Sequence, residues 1–122
     1  MKKDYFFYNP SKHNLNEAFV VHFLNIKTED ELFAQLSSKL NFPLHFGFNW
    51  NAVYDCLRDF NWIKQKRIIL VFDEIPKVEN EVLFTLLDTL RDSVEDWLLD
   101  KSHDLEIVFP ENSENLIISY FD

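Results

Sequence analysis

Carboxylates dominate the chemically capable side chains of this sequence, and one of them stands apart. The segment 42–60 reads FPLHFGFNWNAVYDCLRDF and contains a proline, the chain's single glycine and an asparagine suited to cap a helix. Asn49 can accept a backbone N–H at the start of a helix over about 50–60. Trp50, Val53, Leu57 and Phe60 fall at helical spacing on one face and point inward. Asn51, Tyr54, Asp55 and Arg58 fall on the other side. Asp55 is thus a carboxylate held outward by a short helix among aromatic residues. The chemistry of such a group is charge-assisted hydrogen bonding to a guanidinium or an imidazolium, and the arrangement reads as a surface made to meet something positive.

Other reactive constellations are thinner. Asp73 and Glu74 follow an apolar run, at the end of a strand where open α/β sheets bind ligands, and paired carboxylates can do acid–base work. No nucleophile or oxyanion donor accompanies them, and a solvated turn is the preferred reading. Cys56 with His45 has the composition of a nucleophile and its base, but Cys56 lies next to inward Leu57 and reads as buried and inert. His13, His22, His45 and His103 are scattered without i+3 or i+4 pairing, and His22 reads as a packed, hydrogen-bonded residue inside a buried strand. One glycine permits neither GxGxxG nor GxxxxGK, and GxSxG is also missing. No metal or cofactor is expected.

Composition narrows the partner. The chain has 122 residues, the length of one domain, here 1–122 with a core over about 18–109 and terminal extensions at 1–17 and 110–122. Hydrophobic residues make up 47%, with 13 Phe, enough for a true core. With 21 acidic against 12 basic residues the net charge is −9, which disfavours direct contact with nucleic acid or an anionic membrane and favours a basic partner. Acidity of this degree also serves solubility alone. A single cysteine excludes an internal disulfide. The opening MKKDYFFYNP lacks a secretory signal's apolar stretch and no run is long enough to span a membrane, so cytoplasmic residence is expected. One glycine also leads us to expect few backbone positions of positive φ.

The elements that must position Asp55 follow from periodicity. Residues 18–24 (AFVVHFL), 67–72 (RIILVF) and 105–109 (LEIVF) read as buried strands. Thr28 and Glu31 have capping-box spacing and open a helix over about 29–40 with Leu32, Phe33, Leu36 and Leu40 inward. A long helix over about 79–100 turns Leu83, Leu86, Leu87, Leu90, Val94, Trp97 and Leu98 to the core and Asp88, Asp92, Glu95 and Asp96 outward. That acidic side gains meaning only if it lies beside the Asp55 helix. Residues 1–17 either add an edge strand or pack loosely, and 116–121 (LIISYF) read as a fourth strand or a C-terminal addition to the sheet. Strands separated by helices imply right-handed crossovers and a small three-layer-type α/β domain with a mainly parallel sheet of three strands, four if a terminal extension joins, its hydrophobic faces covered by helices.

HFGFNWNAVYDCL resembles the signature of the barstar family, intracellular inhibitors of the secreted ribonuclease barnase. There a loop and helix run aromatic-aromatic-Gly-x-Asn-Leu-Asp-Ala-Leu-Trp-Asp-Cys-Leu. Phe46, Gly47, Asn49, Ala52, Asp55, Cys56 and Leu57 match, and Trp50, Val53 and Tyr54 are similar substitutes. The order of strands and helices is also similar over about 18–109. The resemblance implies a parallel sheet packed by helices, and a helix whose carboxylates take the place of substrate phosphate in the ribonuclease cleft. It places the central carboxylate at Asp55, contacts at His45, Phe46, Asn49, Asn51, Tyr54 and Phe60, and a further acidic contact at Asp92. Asn51 stands where the family often has an aspartate, and His45 where it has a tyrosine, departures that imply a cognate enzyme other than barnase.

The function so implied is inhibition of a basic ribonuclease, as immunity to a toxin. Steering by charge and a preorganised hot spot accompany it by resemblance, barnase and barstar being the reference pair for both effects. Alternatives left open by the residues are immunity against a basic toxin that is not a nuclease, a small hydrolase using Asp73, Glu74 and His45, and an acidic structural or regulatory domain on the same scaffold.

Overall fold

A computed structural model describes residues 5–122. Four strands form one sheet in the order β1-β4-β3-β2, with β1 at Phe7–Tyr8, β2 at Ala18–Phe23, β3 at Arg67–Phe72 and β4 at Asp104–Phe109. All three pairings are parallel, and β3 lies between β2 and β4 along its length. The fourth strand comes from the N-terminal extension, of which residues 1–4 lie outside the described ones. Helices α1 (Glu29–Lys39) and α2 (Trp50–Leu57) connect β2 to β3, α3 (Asn80–Asp100) connects β3 to β4, and α4 (Glu114–Phe121) follows.

The strand period of two divides β3 between two apolar clusters. Ile68, Leu70 and Phe72 join the large cluster, which receives the buried residues of all four helices: Leu32 and Leu36, Val53 and Leu57, Leu86 and Leu90, Ile117. Ile69 and Val71 point the other way and meet Val108, Leu15, Ala18 and Val20. Every residue of β3 except Arg67 is buried, as its unbroken apolar run requires. The layer over the second face is the connecting segment 9–17, with a single 3-10 turn at Pro10–Lys12, rather than an α-helix. Arg67 ties it down: Nη1 donates to the Asn16 carbonyl (3.2 Å), Nη2 to the Asn14 carbonyl (2.5 Å), and Nε to Glu106 Oε2 (2.7 Å). His13 Nε2 meets Glu106 Oε1 at 2.6 Å.

Several sequence expectations change here. Residues 116–121 are helical, because Ile117 and Phe121 fall one turn apart on a single apolar side, against the core and the Tyr5 and Phe6 rings. Leu98 is 67% exposed, since the last turn of α3 overruns the core beneath it. His22 is exposed rather than packed: it belongs to the second face of edge strand β2, beyond the cover of the segment 9–17. Positive φ is not rare either. Asn9, Glu17, Asn25, Asn41, Phe48, Phe60 and Lys101 all adopt it, while the glycine does not. Asparagine, whose short amide can bond locally, carries three of these turns.

The Glu106 carboxyl titrates under opposing influences. Burial pushes it up, but the hydrogen bonds from Arg67 and His13 outweigh burial and hold it below its ordinary 4.5. A depressed carboxyl stabilises the fold above its unfolded pKa, and that contribution fades as pH falls from about 4.5 through the folded value. Urea denaturation across that range should therefore show the wild type losing stability faster than Glu106→Gln. Parallel decline of the two proteins would show that the Glu106 carboxylate is not a determinant of acid stability.

Candidate functional site

Helix α2 has eight residues, too few to be stable by itself in water, so its place is set by its surroundings. Asn49 Oδ1 accepts the Ala52 N–H at 2.8 Å, the N-cap the sequence predicts. A Cβ at Gly47 would come within 3.0 Å of the Asn49 amide nitrogen, so the glycine serves by its small size beside the cap. Each of the chain's three tryptophans donates its indole N–H into this region. Trp50 donates to Glu29 Oε2 (3.0 Å), joining the first turns of α1 and α2, and Trp62 to the Leu40 carbonyl (2.9 Å) at the end of α1. Trp97 of α3 donates to the Leu57 carbonyl (2.8 Å), satisfying the last turn of α2. The loop before α2 is pinned by the buried rings of Phe42 and Phe46, 5.0 Å apart.

The outward side of α2 then presents a connected set. The Asp55 side chain is 69% exposed and accepts from Arg58 Nη2 at 3.1 Å. The Arg58 guanidinium carbon lies 4.6 Å from the centroid of the Tyr54 ring. The Tyr54 hydroxyl donates to Asp96 on α3, so the acidic side of α3 does lie beside the Asp55 helix. That hydrogen bond is the chief reason the Tyr54 phenol is pushed above its ordinary 10.0; burial and the charge of Asp96 add to it.

The remaining predicted residues divide. His45 and Asn51 are exposed on the same loop and helix. Asn49 is spent on the cap and on the Gly47 carbonyl. Asp92 is half-buried and bonded to Arg91, which also lies near Asp88 and Glu95. Phe46 is buried beneath the loop and acts as its anchor. Phe60 is a correction: it is fully buried, stacked on Trp97 (6.3 Å) and edge-on to Trp62 (5.8 Å), so its ring has no surface for a partner. The helix ends at Leu57, and a left-handed turn at Phe60 (φ 49°) then drives the ring inward.

Four residues here fall outside the contact set expected from the sequence, although Arg58 and Asp96 are among the outward residues that helical spacing gives. Asp96 could have been found from the need of a half-buried tyrosine hydroxyl for an acceptor, and Arg58 from its place one turn after Asp55. Leu44 is fully exposed and Phe48 is 58% exposed with φ 50°, both on the loop beside His45. No periodic signal marks an exposed loop apolar residue.

The alternative acidic pair is engaged otherwise. Asp73 Oδ2 meets His22 Nδ1 at 2.8 Å, and Glu74 Oε1 accepts the Asn25 N–H at 2.8 Å. Asp73 also borders an open depression of about 440 Å³ with Pro10, Pro110, Glu111 and Asn112. The Cys56 thiol is pushed up by burial and by Asp59 and Asp55, which disfavours the thiolate. Among the described residues no group of three or more His, Cys, Asp or Glu is placed to hold a metal, and no helix is long and apolar enough to cross a membrane.

Parallel strands, helices packed to one core cluster and a capped helix offering a carboxylate framed by aromatic and cationic groups define a small α/β protein with its distinctive chemistry on α2. The family model described as Barstar (barnase inhibitor) matches residues 16–110, and the chain belongs to that family. The match takes in β2 to β4 and α1 to α3 and leaves β1 and α4 outside it. A search of curated proteins returns no match to this chain.

The Tyr54–Asp96 contact can be tested in the free protein. Ultraviolet titration of the wild type should show Tyr54 and Tyr120 ionising above 10.0; in Asp96→Asn one of these two components should move back toward 10.0, and Tyr54→Phe should delete that same component and leave the other. An unchanged titration in Asp96→Asn would break the link between α2 and α3.

Proposed function

We propose that this chain inhibits a basic ribonuclease by placing α2 and its preceding loop in the RNA-binding groove, as an immunity protein resident in the cytoplasm. The observation that carries the reading is Asp55: a carboxylate 69% exposed, on a helix capped by Asn49 and bonded at its far end by Trp97. A groove that grips phosphodiesters is electropositive, and a rigid carboxylate can occupy a phosphate position with charge-assisted, bidentate bonds to arginine. Little ordering entropy is lost, because the helix is held before the partner arrives. Tyr54 and His45 supply planar contact area around the charge, and Asn51 a neutral hydrogen-bonding group where a second carboxylate would add repulsion. A net charge of −9 accelerates encounter with a cationic partner in a salt-dependent way. Family membership supports a ribonuclease as the kind of partner. Contact with RNA, a lipid surface or a cofactor plays no part in the mechanism.

RNA cleavage should be assayed with and without the purified chain, using barnase and other basic ribonucleases, including any nuclease domain found encoded beside the chain's gene. We expect stoichiometric loss of cleavage for a cognate enzyme. Asp55→Ala should weaken binding by about 3 kcal/mol or more, with the fold intact because the residue faces outward. Glu114→Ala, on α4, should change affinity by less than about 0.5 kcal/mol. Equal, small losses in the two variants, or cleavage by every one of these ribonucleases untouched by a full molar excess of chain, would defeat the reading.

A further inference from the structure

A plain phosphate mimic has no use for a cation one turn from its central carboxylate, yet Arg58 is there. It occupies the C-cap of α2, donates to Asp55 Oδ1 at 3.1 Å and keeps 49% of its side chain exposed. Its planar group rests on Tyr54, whose hydroxyl is fixed by Asp96. The guanidinium is thus held against a ring, and it carries further donors beyond the one used by Asp55. The exposed i,i+3 bond to Asp55 is of the weak class that a competing cation readily displaces.

Binding changes the position of Arg58. If a partner's cation takes Asp55, Arg58 loses its acceptor at the moment the interface is covered. A guanidinium left desolvated without an acceptor is strongly unfavourable, and facing a uniformly cationic groove it would be repelled as well. Only a partner with an acceptor of opposite charge at that spot avoids both costs.

We propose that Arg58 is a specificity-determining residue of this face: the ribonuclease it recognises carries a carboxylate beside the cation that takes Asp55, and Arg58 passes from Asp55 to that carboxylate on binding. This rests on the reading that α2 is the inserted element. The partner's contact surface is therefore of mixed sign, and enzymes with an all-cationic groove are rejected. Tyr54 and Asp96 position the guanidinium for the exchange.

The test uses the ribonuclease whose cleavage the wild-type chain blocks, titrated with wild type, Arg58→Ala, Arg58→Lys, Arg58→Glu and Asp55→Ala, each checked for an unchanged melting curve. We expect Arg58→Ala to weaken binding about tenfold or more and Arg58→Glu about a hundredfold or more, with Arg58→Lys between wild type and Arg58→Ala because it keeps the charge and loses the fork. Affinity unchanged or improved in Arg58→Ala, alongside a large loss in Asp55→Ala, overturns the role of Arg58 and leaves the inserted helix standing. No loss in Asp55→Ala removes the reading beneath it, and the proposal with it.

Discussion

The hydrogen bond from the Trp97 indole to the Leu57 carbonyl is the contact on which the surface chemistry depends. A helix of eight residues cannot hold a carboxylate still by its own propensity. Its N-terminus is closed by Asn49 and tied to α1 through Trp50, and its last turn is closed by α3. Trp97 is itself locked among Phe60 and His103. Sheet, long helix and short helix thus form one chain of support that ends at Asp55. The buried left-handed turn at Phe60 belongs to the same support. Its backbone cost, on the order of 1–2 kcal/mol, is offset by complete burial of an aromatic ring.

Charge on this face is arranged in alternation. Asp96, Tyr54, Arg58 and Asp55 make a run in which each polar group touches the next. Arg91 does the same among Asp88, Asp92 and Glu95 on α3. The excess of negative charge supplies long-range attraction, whereas the interspersed arginines set local sign. On the proposed function, affinity and selectivity would then be tuned by different residues of this charged set. Leu44 and Phe48 beside His45 add exposed apolar area next to this polar set.

Much of this architecture is readable from residue order. Predominantly apolar runs mark β2 to β4, unbroken in β3 after Arg67, Thr28 and Asn49 act as the caps their neighbours predict, and Asp55 faces outward from helical spacing alone. Errors arise where a pattern outlives its element. The spacing of α2 turns Phe60 inward, as found, but the helix ends at Leu57, the ring reaches the core by a turn that no periodicity encodes, and the contact role implied by resemblance fails. Leu98 keeps the helical stripe of α3 beyond the edge of the core. LIISYF has strand composition and helical spacing together, and packing decides for the helix. The contact of Asp96 with Tyr54 depends on which helices become neighbours, a tertiary fact that local sequence does not hold, whereas the contacts of Arg58 with Asp55 and Tyr54 lie within one turn of α2.

On the proposed function, Asp55 stands ready in the free protein and enters a cationic groove without rearrangement of its helix. A structure of the complex with the inhibited ribonuclease tests this most directly. The expected result is an Asp55 carboxylate within hydrogen-bonding distance of an arginine, lysine or histidine of the RNA-cleaving groove, with the α2 backbone shifted by less than about 1 Å from its free position. An Asp55 side chain left in bulk water away from that groove, or an α2 refolded on binding, would contradict it.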